Sequence, residues 1–203
     1  MINTDEAIEK ISEIYHHLSK AGIYRGYKPI VVAISGIIGI IASIIQPFFI
    51  NNYFSINFVL YWISIAALNL TLCTLVILYQ YFFKENFHEK QKTICIMIQF
   101  IPMVIAGAII TLFFIPNDKL TLPLLPGIWA IIFSLGIFNV RPHLTNLTLI
   151  PAFYYLLCSI MLFWLKFYNI NLLSFGMGIT FGFGQLISAL TLYRSIEKKS
   201  NER

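Results

Sequence analysis

The chain has 203 residues, of which 58% are hydrophobic and only 11% charged, against about 25% charged in a typical soluble domain. That balance excludes a soluble globular fold, and the length suits one compact membrane domain without a second folded unit. The net charge of +5 is modest, and the cations lie near helix ends, so no nucleic-acid surface is implied.

Residues 3–20 predict a cytosolic amphipathic helix ahead of the membrane. Asn3 and Glu6 have the spacing of a capping box. Ile8, Ile11, Tyr15 and Leu18 recur at three and four residues and make one apolar stripe. Asp5, Glu6, Glu9 and Glu13 outweigh Lys10 and Lys20 on the polar face, whereas a helix that lies on anionic lipid is basic there. The stripe is therefore expected to dock on the bundle's own cytosolic ends, on a second copy, or on a partner protein. Tyr24-Arg25-Gly26-Tyr27-Lys28-Pro29 follows. Gly26 ends the helix, Pro29 suits the first turn of the next one, and the tyrosines and cations form an interfacial anchor. The first 28 residues are too polar for a cleavable signal peptide, so the first apolar span is read as an uncleaved anchor.

Six apolar stretches come next, at Pro29–Ile50, Ile56–Phe83, Ile94–Ile115, Leu122–Val140, Leu147–Leu165 and Leu172–Tyr193, and none contains a charged residue. About 20 such residues cross a bilayer as a helix. The expected fold is an all-α bundle of six transmembrane helices. It divides into residues 1–28 (cytosolic helix and anchor), 29–193 (membrane domain) and 194–203 (basic tail). Twelve of the fourteen Lys and Arg residues fall on one side of this topology, leaving Lys119 and Lys166 on the other. The positive-inside rule then puts both termini in the cytoplasm. Trp62, Trp129 and Trp164 all fall at the opposite interface, where indole rings settle at headgroup depth.

Inside the third span, Pro102 lacks an N–H and is expected to kink the helix. The sixth span holds two stripes of small residues at four-residue spacing: Ser174, Gly178 and Gly182, and beside them Gly176, Thr180 and Gly184. Such stripes let helices approach closely in lipid. Gly36 and Gly39 in the first span and Ala106-Gly107-Ala108 in the third are the candidate partners, with a contact inside one chain favoured over the alternative between subunits. Asn69, near the middle of the second span, suits an interhelical hydrogen bond, and with Gln99 it could instead line a polar path.

No cofactor or metal is indicated. His16, His17, His88 and His143 all map to the cytoplasmic side, with no HExxH spacing and no carboxylate cluster. Cys73, Cys95 and Cys158 form no CxxC pair. Neither an acidic dyad nor an intramembrane Ser–His pair is available for hydrolysis.

The amphipathic start, the run Tyr24–Pro29, Leu125-Pro126-Gly127-Ile128-Trp129 and the glycine-rich last span ending at Arg194 together resemble a group of bacterial six-span membrane proteins. The resemblance implies the six-span fold and a bacterial inner membrane. That group has no established activity, and some members are encoded beside winged-helix regulators. Similar chains often carry a histidine in the last span where this one has Gln185, so no histidine-dependent role is implied here. The expected function is non-enzymatic, a sensory, regulatory or scaffolding role through the cytosolic helix. A small transporter or channel for a neutral or apolar solute is the alternative.

Overall fold

In a computed structural model of the chain, residues 28–50, 52–117, 120–141 and 146–201 are described, and they form an all-α bundle with no strand among them. Six of its helical stretches are long and apolar enough to cross a membrane. The chain is a multi-pass membrane protein. The helix expected at 3–20, with Ile8, Ile11, Tyr15 and Leu18, lies outside the described residues.

Helix α1 is Pro29–Phe49, α2 is Ile56–Phe83, α3 is Phe87–Asn117, α4 is Leu125–Val140 and α5 is Leu149–Tyr168. The sixth span is composite. A short α6 (Leu173–Met177) runs into a π-helical stretch, Gly178–Phe183, which continues as α7 (Gly184–Asn201). Local chemistry sets the starts. Pro29 occupies the first turn of α1, where its missing N–H costs nothing. The Ser55 hydroxyl accepts from the Phe58 N–H at the head of α2.

Helix α3 begins at Phe87, seven residues before the apolar run that marks it in the sequence. The Glu89 carboxylate accepts a 3.2 Å bond from the Asn86 N–H, which is half of a capping box and extends the helix by two polar turns. The helix then runs through Pro102 without interruption.

Val32 packs against Ala189 and Leu192, whereas Ser43 lies at Gly178 and Ser174. The first and sixth spans are therefore antiparallel, and the start of one sits beside the close of the other. We call this the terminal end of the bundle and the opposite one the far end. The largest apolar cluster fills the far half, with Phe58, Val59, Leu122, Leu125, Leu162 and Leu173 all essentially inaccessible.

Packing is uneven. Half of the fourth and sixth spans is buried but only 6% of the second and third, so those two contribute less to the core.

The tryptophans divide by role. Trp164 is exposed and stacks on Tyr168 at 4.6 Å. Trp62 is 4% exposed within the far-half cluster. Its expected place among headgroups is thus corrected: the ring packs between helices because neighbouring spans cover that face of α2. Trp129 is turned toward α3, where its indole N–H donates 2.9 Å to the Thr111 hydroxyl.

Candidate functional site

Two features are built rather than merely apolar. One is a spine formed by the first and sixth spans, and the other is a cavity beside that spine at the terminal end.

The two small-residue stripes of the sixth span serve different neighbours. Gly178 and Gly182 face α1: a Cβ on Gly178 would overlap the Ser43 side chain, and one on Gly182 would sit 2.5 Å from Ile40 Cγ1. A Cβ on Gly36 would in turn meet the Gly182 carbonyl oxygen at 2.7 Å, and one on Gly39 the Gly182 Cα at 3.3 Å. Ser174 closes this side by donating 2.8 Å to the Ser43 carbonyl. Gly176 and Gly184 face α5 instead. There a Cβ would come within 2.7 Å of Leu165 Cδ1 or 2.5 Å of Tyr155 Cζ. The third-span candidate is corrected: a Cβ on Gly107 would meet nothing within 4 Å. Helix α3 makes its close contact with α4 instead, where Met103 fills the space above Gly136.

The π stretch explains why two four-residue stripes stay in line. In an α-helix of about 3.6 residues per turn, a four-residue repeat drifts round the axis by about 40° per step. A wider π turn takes up more residues and counters the drift. It also loosens the backbone ladder, and here a side chain fills in: the Tyr154 hydroxyl donates 2.7 Å to the Ile179 carbonyl. Thr180 in the same stretch is fully buried, and its hydroxyl finds no hydrogen-bond partner. Phe181 packs beside it on Tyr155, which packs in turn on Phe133 with ring centroids 4.8 Å apart.

The cavity, of about 60 Å³, opens between the terminal-end parts of the first, third, fourth, fifth and sixth spans. Val32, Ile96, Phe100, Phe133, Ile137 and Val140 supply apolar walls, and the sixth span adds Gln185, Ser188 and Thr191. Both hydroxyls on that helix are already committed. Ser188 donates to the Gly184 carbonyl and Thr191 to the Ser188 carbonyl. The walls therefore behave as a mainly hydrocarbon surface.

The structure separates the two candidate polar-path residues from this cavity, since neither Asn69 nor Gln99 lines it. Asn69 is half-buried on α2, and its side-chain oxygen finds no hydrogen-bond partner. Gln99 lies on α3, where its amide reaches Cys95 Sγ at 3.9 Å and its backbone carbonyl accepts from Asn139 Nδ2 at 3.1 Å. That is a packing role between α3 and α4. Apart from Gln185, the residues lining the cavity were not singled out by sequence, because they are ordinary apolar or small residues. Their shared signal is position, near the terminal end of five different spans. Among the described residues no group of three His, Cys, Asp or Glu could hold a metal ion. No protein-family model, curated protein or solved structure matches this chain.

Proposed function

We propose that this is a bacterial inner-membrane protein with both termini in the cytoplasm, and that it acts without chemistry of its own as a scaffold or sensor. In this reading it presents its cytosolic segments to a partner. The observation that carries the reading is the spine. Val32 packs against Ala189 and Leu192, so the chain before Pro29 and the chain after the sixth span leave the bundle side by side. By sequence, the acidic residues of 3–20 and the basic residues Arg194, Lys198 and Lys199 all belong to the terminal side of this topology. Backbones held together at glycines leave little slack, which suits a fixed display of both segments. Orientation rests on charge, because twelve of fourteen basic residues belong to the terminal side of the topology.

Crosslinking in cells from a cysteine placed at Glu9 or Glu13 tests the role. The reading expects one recurrent partner, or a second copy, whose capture is lost when Ile11→Glu interrupts the apolar stripe. If only the protein's own loops are captured, the display role is gone.

A small transporter for a neutral or apolar solute is the second reading, favoured by the cavity beside a π-helical stretch, since such stretches recur at functional sites. Solute flux into proteoliposomes above that of protein-free vesicles would move the assignment there.

A further inference from the structure

We propose that the terminal-end cavity seats part of an acyl chain of an anionic phospholipid, with the headgroup held by the cations that ring the cavity's mouth. The inference does not depend on the display role above.

Four of the five spans that line the cavity carry a cation within one turn of a lining residue, on the side toward the terminal end. Lys28 precedes Val32, Lys92 precedes Ile96, Arg141 follows Val140, and Arg194 follows Thr191. Lys28 and Arg194 are exposed. Cations on this face also orient the protein, so charge alone selects no ligand. The second element is the cavity they surround. Its volume is about 60 Å³, far below the roughly 300–1,000 Å³ of a drug-sized site. A hydrocarbon segment fits that volume and those walls, because the Ser188 and Thr191 hydroxyls already bond to their own helix. Basic pockets between membrane helices are a known way of holding anionic headgroups. An apolar slot whose lining residues have cations within one turn on four helices matches a molecule that is anionic at one end and hydrocarbon at the other.

Native mass spectrometry of the full chain in mild detergent tests this, with phosphatidylglycerol and phosphatidylcholine of matched chains added in turn. Phosphatidylglycerol should be retained about ten-fold better, because cations at the membrane surface favour an anionic lipid over a zwitterionic one. The double variant Lys28→Gln with Arg194→Gln should remove most of that preference and leave phosphatidylcholine retention unchanged. Thr191→Leu, which fills the cavity from its wall, should lower phosphatidylglycerol retention with the cations intact. Equal retention of the two lipids by the unaltered protein would overturn the proposal without recourse to any variant. So would retention indifferent to Thr191→Leu, because the lipid would then sit on the cationic face and not in the cavity. Displacement of bound lipid by soluble glycerol phosphate would also overturn it, by showing a headgroup site with no place for a chain.

Discussion

The Ser174 hydroxyl donates a 2.8 Å hydrogen bond to the Ser43 carbonyl and ties the head of the sixth span to the last turns of the first. The bond joins residues 131 positions apart, at the point where Gly178 gives its own side-chain space to Ser43. From there to Val32 and Leu192 the two spans stay in contact along most of their length. Lipid gives helices no hydrophobic reason to associate, so close dispersion contact and a few interhelical hydrogen bonds must hold this pair.

Removing the hydroxyl that supports the π stretch should have a measurable but small cost. Tyr154→Phe deletes the bond to the Ile179 carbonyl. The expected loss is about 0.6 kcal/mol, and no more than about 2 kcal/mol, as for other interhelical bonds in membranes. Unfolding in a graded detergent series measures it. A loss no greater than that of Tyr193→Phe, an exposed tyrosine outside the π stretch, would show that the carbonyl needs no such support.

Trp129→Phe breaks the bond to Thr111 but keeps most of the ring's packing. A destabilisation of about 0.5–1.5 kcal/mol is expected. Thr111 also donates to the Gly107 carbonyl within its own helix. Thr111→Val in the Trp129→Phe background should therefore add less than it does alone. Full additivity of the two changes would argue against coupling between them.

Gly107→Leu should be silent, because nothing lies within 4 Å of the added Cβ. Folded yield in detergent within error of the unaltered protein is the expected outcome. A large drop would mean that α3 is covered by a second copy or another partner on that face.

Topology can be read with reporter fusions. A fusion in the turn at Glu85 or after Arg203 should behave as cytosolic, and one at Asn117 or Asn171 as external. Glu85 suits a fusion because it lies in the turn before α3, which begins at Phe87. One reversed result would overturn the charge argument for orientation.

The spans were legible because apolar length is a property of the sequence alone, and α1 and α2 begin where the apolar runs begin. The head of α3 was not, since its first two turns are polar and only the Asn86–Glu89 spacing marks them. The small-residue stripes showed that the sixth span would approach its neighbours closely. They could not show that one stripe serves α1 and the other α5, because spacing within one helix does not say which helices pack on its faces. Trp62 misled for a related reason: the sequence gives its depth in the membrane but not the side of the helix that neighbours cover. The cavity was invisible to sequence, being made of ordinary residues from five separated segments.

The central claim is that the first and sixth spans form one tight spine inside a single chain. The most direct measurement is folded yield of Gly178→Leu and Gly182→Leu in a strictly monomeric detergent preparation, against Phe175→Leu and Phe183→Leu. The two phenylalanines are about half exposed, whereas side chains at the glycines would collide with Ser43 and Ile40. The account predicts that either glycine variant sharply lowers monomer yield while both phenylalanine variants stay close to the unaltered protein. Normal folding of both glycine variants, with or without loss of a dimer, would contradict it.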